Sequence, residues 1–119
     1  METNNGNAAL VNEFSKANPT YPVSNSLMYS IYKMLPNDTD LTVFREQGKI
    51  QGFNFAFIDG HYNYHTAQDD AQHLCKNTLE HQGSYILPLI NYFGNADISN
   101  LNSSNDKVYF NIPFTFVNY

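Results

Sequence analysis

The chain has 119 residues, a length that suits one small domain or a piece of a larger one. Six Lys and Arg against eleven Asp and Glu give a formal charge of −5, which argues against a nucleic-acid surface and against a polybasic membrane footprint. Apolar residues make up 42% of the chain, enough to bury a core, so disorder of the whole chain is not expected. The single Cys75 excludes an intrachain disulfide and any zinc site built on several cysteines. No apolar run reaches the ~18 residues of a membrane helix, and no signal peptide is visible after Met1.

The first third of the chain predicts two amphipathic helices. Apolar residues at three- and four-residue spacing indicate a helix over residues 7–17. A second helix is predicted over residues 25–34, with Ser24 as its N-cap and Pro36 as its stop. Its predicted buried stripe consists of Leu27, Ile31, Met34 and Leu35.

The middle of the chain predicts a turn, a short helix and a strand. The turn covers residues 37–40, and the helix covers residues 41–47 and ends at Gly48 in the left-handed conformation. Residues 52–58 are rich in Phe and bounded by turn residues, which indicates a strand buried on both faces. Residues 60–76 have no helical period and are expected to be irregular. The aromatic residues expected in the core here are Phe44 and Phe57.

The last third predicts the longest helix, a loop and a terminal strand. Asn77 opens the helix with Glu80 three residues on, a capping-box arrangement, and Gly94 ends it after an expected kink at Pro88. The predicted buried face of this helix consists of Leu79, Gly83, Ile86, Leu89, Ile90 and Phe93. Residues 100–106, rich in Asn and Ser, are expected to form a linker or long loop. Residues 107–119 alternate and predict a strand with Pro113 at an edge or bulge and a buried face made of Val108, Phe110, Ile112, Phe114 and Phe116.

These elements predict an α/β fold that is part of a larger unit. A strand buried on both faces needs neighbours, and the only candidate here is the distant terminal strand. We expect the helix over 77–93 to pack on the strand over 53–58, with Ile86 and Leu89 directed inward.

The histidines are the candidate metal ligands. His61 and His65 are four residues apart, but the Tyr-Asn-Tyr between them argues against the helix that would bring them together. His73 has no distinguishing context, and His81 is expected to be a solvated or edge residue of the long helix.

His65 has a more informative setting than the other three. It opens the run His-Thr-Ala-Gln-Asp-Asp, shortly after the predicted strand, where α/β folds gather their sites. A neutral imidazole there can bind Zn²⁺, and Thr66 and Asp69 can orient the loop or the ring.

Four segments, taken in order, resemble the distal part of the M28 family of zinc-dependent exopeptidases, a family that includes glutaminyl-cyclase-like proteins. They are an Asp-containing turn followed by Phe at 37–44, a Gly-hydrophobic strand at 52–57, a His-Thr-x-x-Asp loop at 65–69, and a His-Gln-Gly run at 81–83. The resemblance covers about residues 2–95 and is closest to the membrane-associated or secreted aminopeptidase branch.

The resemblance implies a fold and a division of the chain. The fold is part of a three-layer α/β/α domain with a mixed sheet, of the zinc-exopeptidase-like (phosphorylase/hydrolase-like) type. Residues 1–97 would be the C-terminal half of this domain, and residues 98–119 would be a linker and a terminal β-strand.

The resemblance also implies roles for individual residues. In the family two zinc ions are bridged by an Asp and a water, and a separate Glu acts as general base. Only the last metal ligand maps onto this chain, as His65. The other implied site residues are Tyr64 and Asp40 at the substrate pocket, with Thr66 and Asp69 behind the ligand. Leu41 follows Asp40 where the family often has a His, which is a departure from the pattern.

The function implied is that of a fragment of a zinc metallo-aminopeptidase that removes N-terminal residues from peptides. With one ligand and no evident base, the chain is expected to be inactive without a missing N-terminal half or a partner chain. Two alternatives stay open: a non-catalytic binding or pairing module, and a fragment of a glutaminyl-cyclase-like acyltransferase, which uses the same His-Thr loop. The His-Gln-Gly helix favours the peptidase. The resemblance implies an extracytoplasmic parent, secreted or membrane-associated.

Overall fold

The structure, a computed structural model, describes residues 1–36, 38–56 and 58–119. Its elements in chain order are α1 (Ala8–Ala17), α2 (Ser26–Tyr32), α3 (Asp40–Glu46), a 3₁₀ turn (His61–Asn63), α4 (Lys76–Phe93), β1 (Tyr109–Ile112) and β2 (Thr115–Asn118). β1 and β2 form an antiparallel hairpin in which Phe110 lies opposite Val117. Helices and strands in one chain are consistent with the α/β prediction, and the three-layer arrangement stays a prediction.

The core lies where α1 packs against α4, the hairpin and the extended chain at 53–55. Phe14 of α1 is fully buried at its centre, with ring centroids 5.5 Å from Phe53 and 4.9 Å from Phe116. Tyr85 and Leu89 of α4 complete the buried cluster. Burying each such side chain contributes about 1.5–3 kcal/mol, and aromatic pairs add about 0.5–1.5 kcal/mol each. The sequence predicts α1 from the spacing of its apolar residues, and the structure confirms that these residues form its buried face, because Leu10, Val11 and Phe14 are all buried.

The first residues of the chain run through the interior beside the extended segment. Thr3 is fully buried, and Glu2 pairs with Asn54 in an isolated antiparallel bridge. The two backbone hydrogen bonds of this bridge measure 2.8 and 3.1 Å between nitrogen and oxygen. The N-terminal segment therefore provides the neighbour of the chain at 52–56.

The prediction of a regular buried strand over residues 52–58 is wrong. Among its described residues only Asn54 takes part in pairing, and Ile58 is 61% exposed. An extended segment forms a ladder only where partners run alongside it, and Glu2 supplies a single bridge. Phe44, expected in the core, is also exposed. Asn37 in the predicted turn and Phe57 in the predicted core lie outside the described residues.

The C-terminal segment is a hairpin, so the prediction of one continuous strand is wrong. Pro113 and Phe114 form the turn, and Phe114 has φ 65° and is 88% exposed. Pro lacks a ladder donor and suits a turn better than a strand interior. The predicted buried face is also wrong in β1: Tyr109 is fully buried, whereas Val108 and Ile112 are exposed. The Tyr109 hydroxyl donates to the Met1 carbonyl oxygen at 3.0 Å, which ties β1 to the buried N-terminus.

The helices lie where the sequence predicts them, but several of their ends differ. The N-cap of α2 is Asn25, whose Oδ1 accepts from the Met28 N–H at 2.7 Å, so the Ser24 cap is wrong. α4 begins at Lys76 with no side-chain cap, so the predicted capping box at Asn77 is wrong. The end of α4 at Gly94 is confirmed, and the helix continues through Pro88. After α3 the left-handed residue is Lys49, with φ 54°, and not Gly48.

The predicted buried faces of α2 and α4 are partly wrong. On α2 the buried residue is Tyr29, and the whole predicted stripe is exposed. On α4 Leu89 is buried and Phe93 is half-buried as predicted, whereas Ile86 is exposed and Tyr85 is buried instead. The Tyr85 ring packs 5.3 Å from the Phe55 ring, so α4 does pack on the extended segment, as expected. The other exposed members of the predicted α4 face are Leu79 and Ile90.

Candidate metal and substrate site

His65 lies on an exposed loop between the 3₁₀ turn and α4. Its backbone has φ 57°, a left-handed conformation that His adopts more readily than bulky or β-branched residues. The loop follows the extended segment, which is where the sequence predicts this histidine.

Side chains of the same loop fix the backbone around His65. The Asp69 carboxylate oxygen Oδ2 accepts from the His65 backbone N–H at 3.0 Å. The Thr66 hydroxyl donates to the Asn63 carbonyl oxygen at 2.7 Å and accepts from the Gln68 N–H at 3.1 Å. The Asp69 contact holds the backbone of His65 itself, and the Thr66 contacts hold the backbone on either side of it, while the imidazole stays exposed.

Tyr64 lies directly against the candidate ligand. Its ring stacks on the His65 imidazole with 4.0 Å between ring centroids and 20° between ring planes. Tyr64 is itself exposed, so the two rings present one aromatic surface to solvent. The stack restricts the orientation of the imidazole without using its nitrogen atoms.

Asp40 lies in a different part of the described structure. It opens α3 and lines an open groove of about 520 Å³ together with Leu41, Phe44 and residues 50–54. The lining of this groove includes no residue of the loop at 64–69. The structure therefore brings Tyr64, Thr66 and Asp69 to His65, and it does not bring Asp40 there.

An ion pair between the buried Glu2 and the half-buried Arg45 lies beside this groove, and it is not predicted from the sequence. The Glu2 carboxylate accepts from Arg45 Nη1 at 3.1 Å and from the Asn54 side-chain amide at 3.0 Å. Glu2 is buried, so this pairing offsets the cost of removing its charge from water. The residues are far apart in the chain, and no local pattern indicates that they meet.

The remaining histidines have other partners. His73 Nδ1 lies 2.8 Å from the Asp70 carboxylate, and this hydrogen bond holds the pKa of Asp70 below its ordinary value. His81 Nε2 lies 2.8 Å from the Tyr21 carbonyl oxygen. His61 stacks on Tyr62 with 4.9 Å between ring centroids.

The donor atoms of the chain fit one position of a zinc site. Within residues 1–36, 38–56 and 58–119, no three or more His, Cys, Asp or Glu side chains are grouped so that they could hold a metal ion. A zinc site in a protein takes at least three protein ligands. An exposed imidazole on a fixed loop suits one of them, and the described residues do not by themselves complete such a site.

Comparison with known proteins gives several relatives. Rat endoplasmic reticulum metallopeptidase 1 is 34% identical over 65 residues, which are 55% of this chain and 7% of the rat protein. Putative endoplasmic reticulum metallopeptidase 1 of Schizosaccharomyces pombe is 30% identical over 110 residues, 87% of this chain and 13% of that protein. The vacuolar membrane protease of Candida glabrata is 29% identical over 101 residues, 83% of this chain and 11% of that protein.

The chain thus spans a small share of the length of these relatives. No solved structure matches it. In the part of the chain that the structure describes, no helix combines the length and the apolar character needed to cross a membrane.

Residues 1–90, three quarters of the chain, match the model of peptidase family M28. The chain therefore belongs to peptidase family M28.

Proposed function

We propose that this chain is part of a zinc metallo-aminopeptidase that hydrolyses N-terminal residues from peptides. Residues 1–97 would form the C-terminal half of its catalytic domain, and residues 98–119 would form a linker and the terminal hairpin. The observation that carries the proposal is the His65 loop, in which Asp69 holds the backbone and the imidazole is exposed. Membership of the M28 family supports the reaction class.

In this proposal His65 supplies one ligand to a two-zinc site whose other ligands lie outside this chain. Zinc bound there supplies Lewis-acid activation of the scissile carbonyl and of a water molecule. Asp69 and Thr66 position the ligand through the loop backbone. The Tyr64 ring, stacked on the imidazole, would line the pocket for the substrate side chain.

The distribution of apolar side chains supports a chain completed by further sequence. The stripe on α2 that the sequence predicts to be buried is exposed, as is Ile58 at the end of the extended segment. Large apolar side chains left exposed in this number support an interaction surface. We propose that the N-terminal half of the domain, or a partner chain, covers these surfaces.

We propose an extracytoplasmic location for the parent protein. Support comes from the names of its relatives, which refer to the endoplasmic reticulum and to the vacuolar membrane. The loop at His65 is exposed, and its hydrogen bonds are made within the loop. Its geometry therefore does not favour one compartment over another.

The test uses the full-length protein that contains this segment. Replacing His65 by Ala removes a ligand and should reduce bound zinc and lower kcat by about 100-fold or more, since even the partners of ligands are worth about 10–100-fold. The measurements are zinc per mole of protein and the release of amino acids from peptides. Unchanged turnover and zinc content in H65A would end the ligand assignment.

His61 provides the matched control, because it is an exposed histidine four residues upstream with a stacked Tyr neighbour. H61A should keep wild-type zinc content and turnover, which separates loss of a ligand from loss of any loop imidazole. With zinc removed from both by a chelator, thermal unfolding of H65A should match that of H61A.

The same assay addresses the two alternatives. A non-catalytic module is favoured by the lack, among the described residues, of a group of three or more side chains that could hold a metal ion. It predicts a full-length protein that neither binds zinc nor releases amino acids. A cyclase-like acyltransferase would instead release ammonia from peptides that begin with Gln. Release of amino acids with no ammonia from such peptides is the outcome that we expect.

A further inference from the structure

The Asn- and Ser-rich loop before β1 contains an acceptor pattern for N-linked glycans. Asn102-Ser103-Ser104 fits Asn-x-Ser/Thr with x other than Pro. The triplet that starts at Asn18 has Pro in the middle position and does not fit. A second fitting triplet starts at Asn37, a residue outside the described part of the structure.

The structure exposes the two side chains that the pattern requires. Asn102 and Ser104 are both exposed, and Ser103 between them is half-buried. The Asn102 side-chain oxygen Oδ1 accepts from Gln51 Nε2 at 3.2 Å in an exposed contact. Its amide nitrogen Nδ2, the atom that would carry a glycan, has no hydrogen bond to any residue that the structure describes.

The backbone of the loop is attached to the N-terminal segment, and this attachment does not use the amide nitrogen. The Ser103 N–H donates to the Gly6 carbonyl oxygen at 3.1 Å, and the Asp106 carboxylate accepts from the Gly6 N–H at 2.8 Å. Gly6 has φ 69°, and a Cβ there would lie 2.1 Å from the Ser103 carbonyl oxygen, so the close approach requires glycine. A glycan on Asn102 would therefore extend into solvent and leave these contacts in place.

The surroundings of Asn102 are polar, as a glycan-bearing surface needs to be. Asn102 lies at a groove of about 450 Å³ that is lined by Asn4, Asn5, Lys33, Arg45, Lys49 and Gln51. Among the residues that the structure describes, no apolar side chain lines it. A bulky hydrophilic group here would cover polar surface and would not interrupt a hydrophobic contact.

We propose that Asn102 is a site of N-glycosylation, an inference that rests on the extracytoplasmic location proposed above. In the reaction Asn102 Nδ2 loses one proton and forms a bond to C1 of an oligosaccharide. The bond between C1 and a lipid-linked pyrophosphate breaks, the lipid pyrophosphate leaves with the electron pair of that bond, and the proton from Nδ2 passes to solvent. No atom is oxidised or reduced. The glycan would keep this face of the domain in solvent and out of the interface with the remainder of the protein.

The first experiment uses the full-length protein from its own cells. Enzymatic removal of N-glycans converts each glycosylated Asn to Asp, which peptide mass spectrometry locates. We expect the conversion at Asn102. N102Q and S104A should each lose this glycan, whereas S104T should keep it because the hydroxyl is retained. All variants are made with N37Q, so that the second triplet does not contribute.

A second experiment separates the acceptor from the location. The full-length protein is translated with microsomes behind a cleavable signal sequence, which forces the segment into the lumen. Glycan at Asn102 in both experiments supports the proposal. Glycan in microsomes only overturns the location and with it the modification of the native protein. No glycan at Asn102 in either experiment overturns the acceptor, whatever the compartment.

Discussion

At the scale of single residues, the hydrogen bond from the His65 N–H to Asp69 is the basis of the positioning role that we propose for Asp69. D69A should weaken zinc binding by the full-length peptidase about 10–100-fold, since residues that orient a ligand have effects of that size. D69N should restore most of the affinity, because its amide oxygen can accept the same N–H. The measurement is the zinc dissociation constant by competition with a chelator.

Asp70 gives a control for the charge of this loop. Its carboxylate bonds His73 and does not contact His65, so D70N should leave zinc affinity unchanged. Equal losses in D69A and D69N would contradict the positioning role, because they would indicate a requirement for charge instead.

Tyr109 makes the stability of the chain depend on pH in alkaline solution. Burial raises the pKa of Tyr109 from its ordinary value of 10.0 to about 12. Between these values the unfolded chain releases the phenolic proton and the folded chain keeps it. The contribution of Tyr109 is therefore complete below pH 10 and is lost as the pH rises towards 12, by roughly 2–3 kcal/mol.

The measurement is chemical denaturation of the chain in dilute solution at pH 9 and at pH 11. Y109F should show a smaller loss of stability between the two pH values than the wild type, because Phe does not titrate. Burial also raises the pKa of Tyr85, so part of the alkaline loss should persist. Y62F alters an exposed tyrosine and should lose as much stability between pH 9 and pH 11 as the wild type. An equal loss of stability in Y109F and Y62F would contradict the role of Tyr109.

At the scale of elements, the packing of α1 on α4 and the hairpin depends on one aromatic side chain. Phe14 is fully buried among Phe53, Tyr85 and Phe116. F14A should lower the free energy of unfolding by about 3–5 kcal/mol, from lost burial and the cavity that remains. Phe114 is the matched control at 88% exposure, and F114A should change stability by no more than about 0.5 kcal/mol. A cost for F14A near that of F114A, measured by denaturation, would show that the cluster does not hold α1.

The elements also show which features could be predicted from sequence. The position of α1 and its buried face were predictable, because its apolar residues lie on one side only. On α2 the pattern indicated the helix but the wrong face, because Tyr29 reaches the Thr3 carbonyl oxygen with its hydroxyl, a contact far away in the chain. The spacing of apolar residues predicts that a helix has an apolar face, but it does not predict which distant residues the helix contacts.

The strands were less predictable for a different reason. Alternation over 107–119 has two faces, and nothing local indicates that the one with Tyr109 is buried. The turn at Pro113 and Phe114 places a Phe at positive φ, which sequence patterns do not anticipate. For the site, the loop position of His65 followed from its motif, whereas the stack on Tyr64 and the bond to Asp69 depend on the loop backbone.

At the scale of the whole molecule, the chain has one surface suited to solvent and another suited to a partner. The groove at Asn102 is polar, whereas exposed apolar side chains lie along α2. The match to its relatives covers 7–13% of the lengths of the rat and fission-yeast proteins. Both observations support the proposal that the segment works within a larger domain, in which other sequence would complete the site at His65.

The measurement that tests this account most directly is anomalous X-ray scattering at the zinc edge from crystals of the full-length peptidase. We predict a zinc peak about 2.0–2.1 Å from a ring nitrogen of His65, with the remaining ligands supplied by residues outside this chain. A zinc site complete without His65, with its imidazole still free in solvent, would contradict the account.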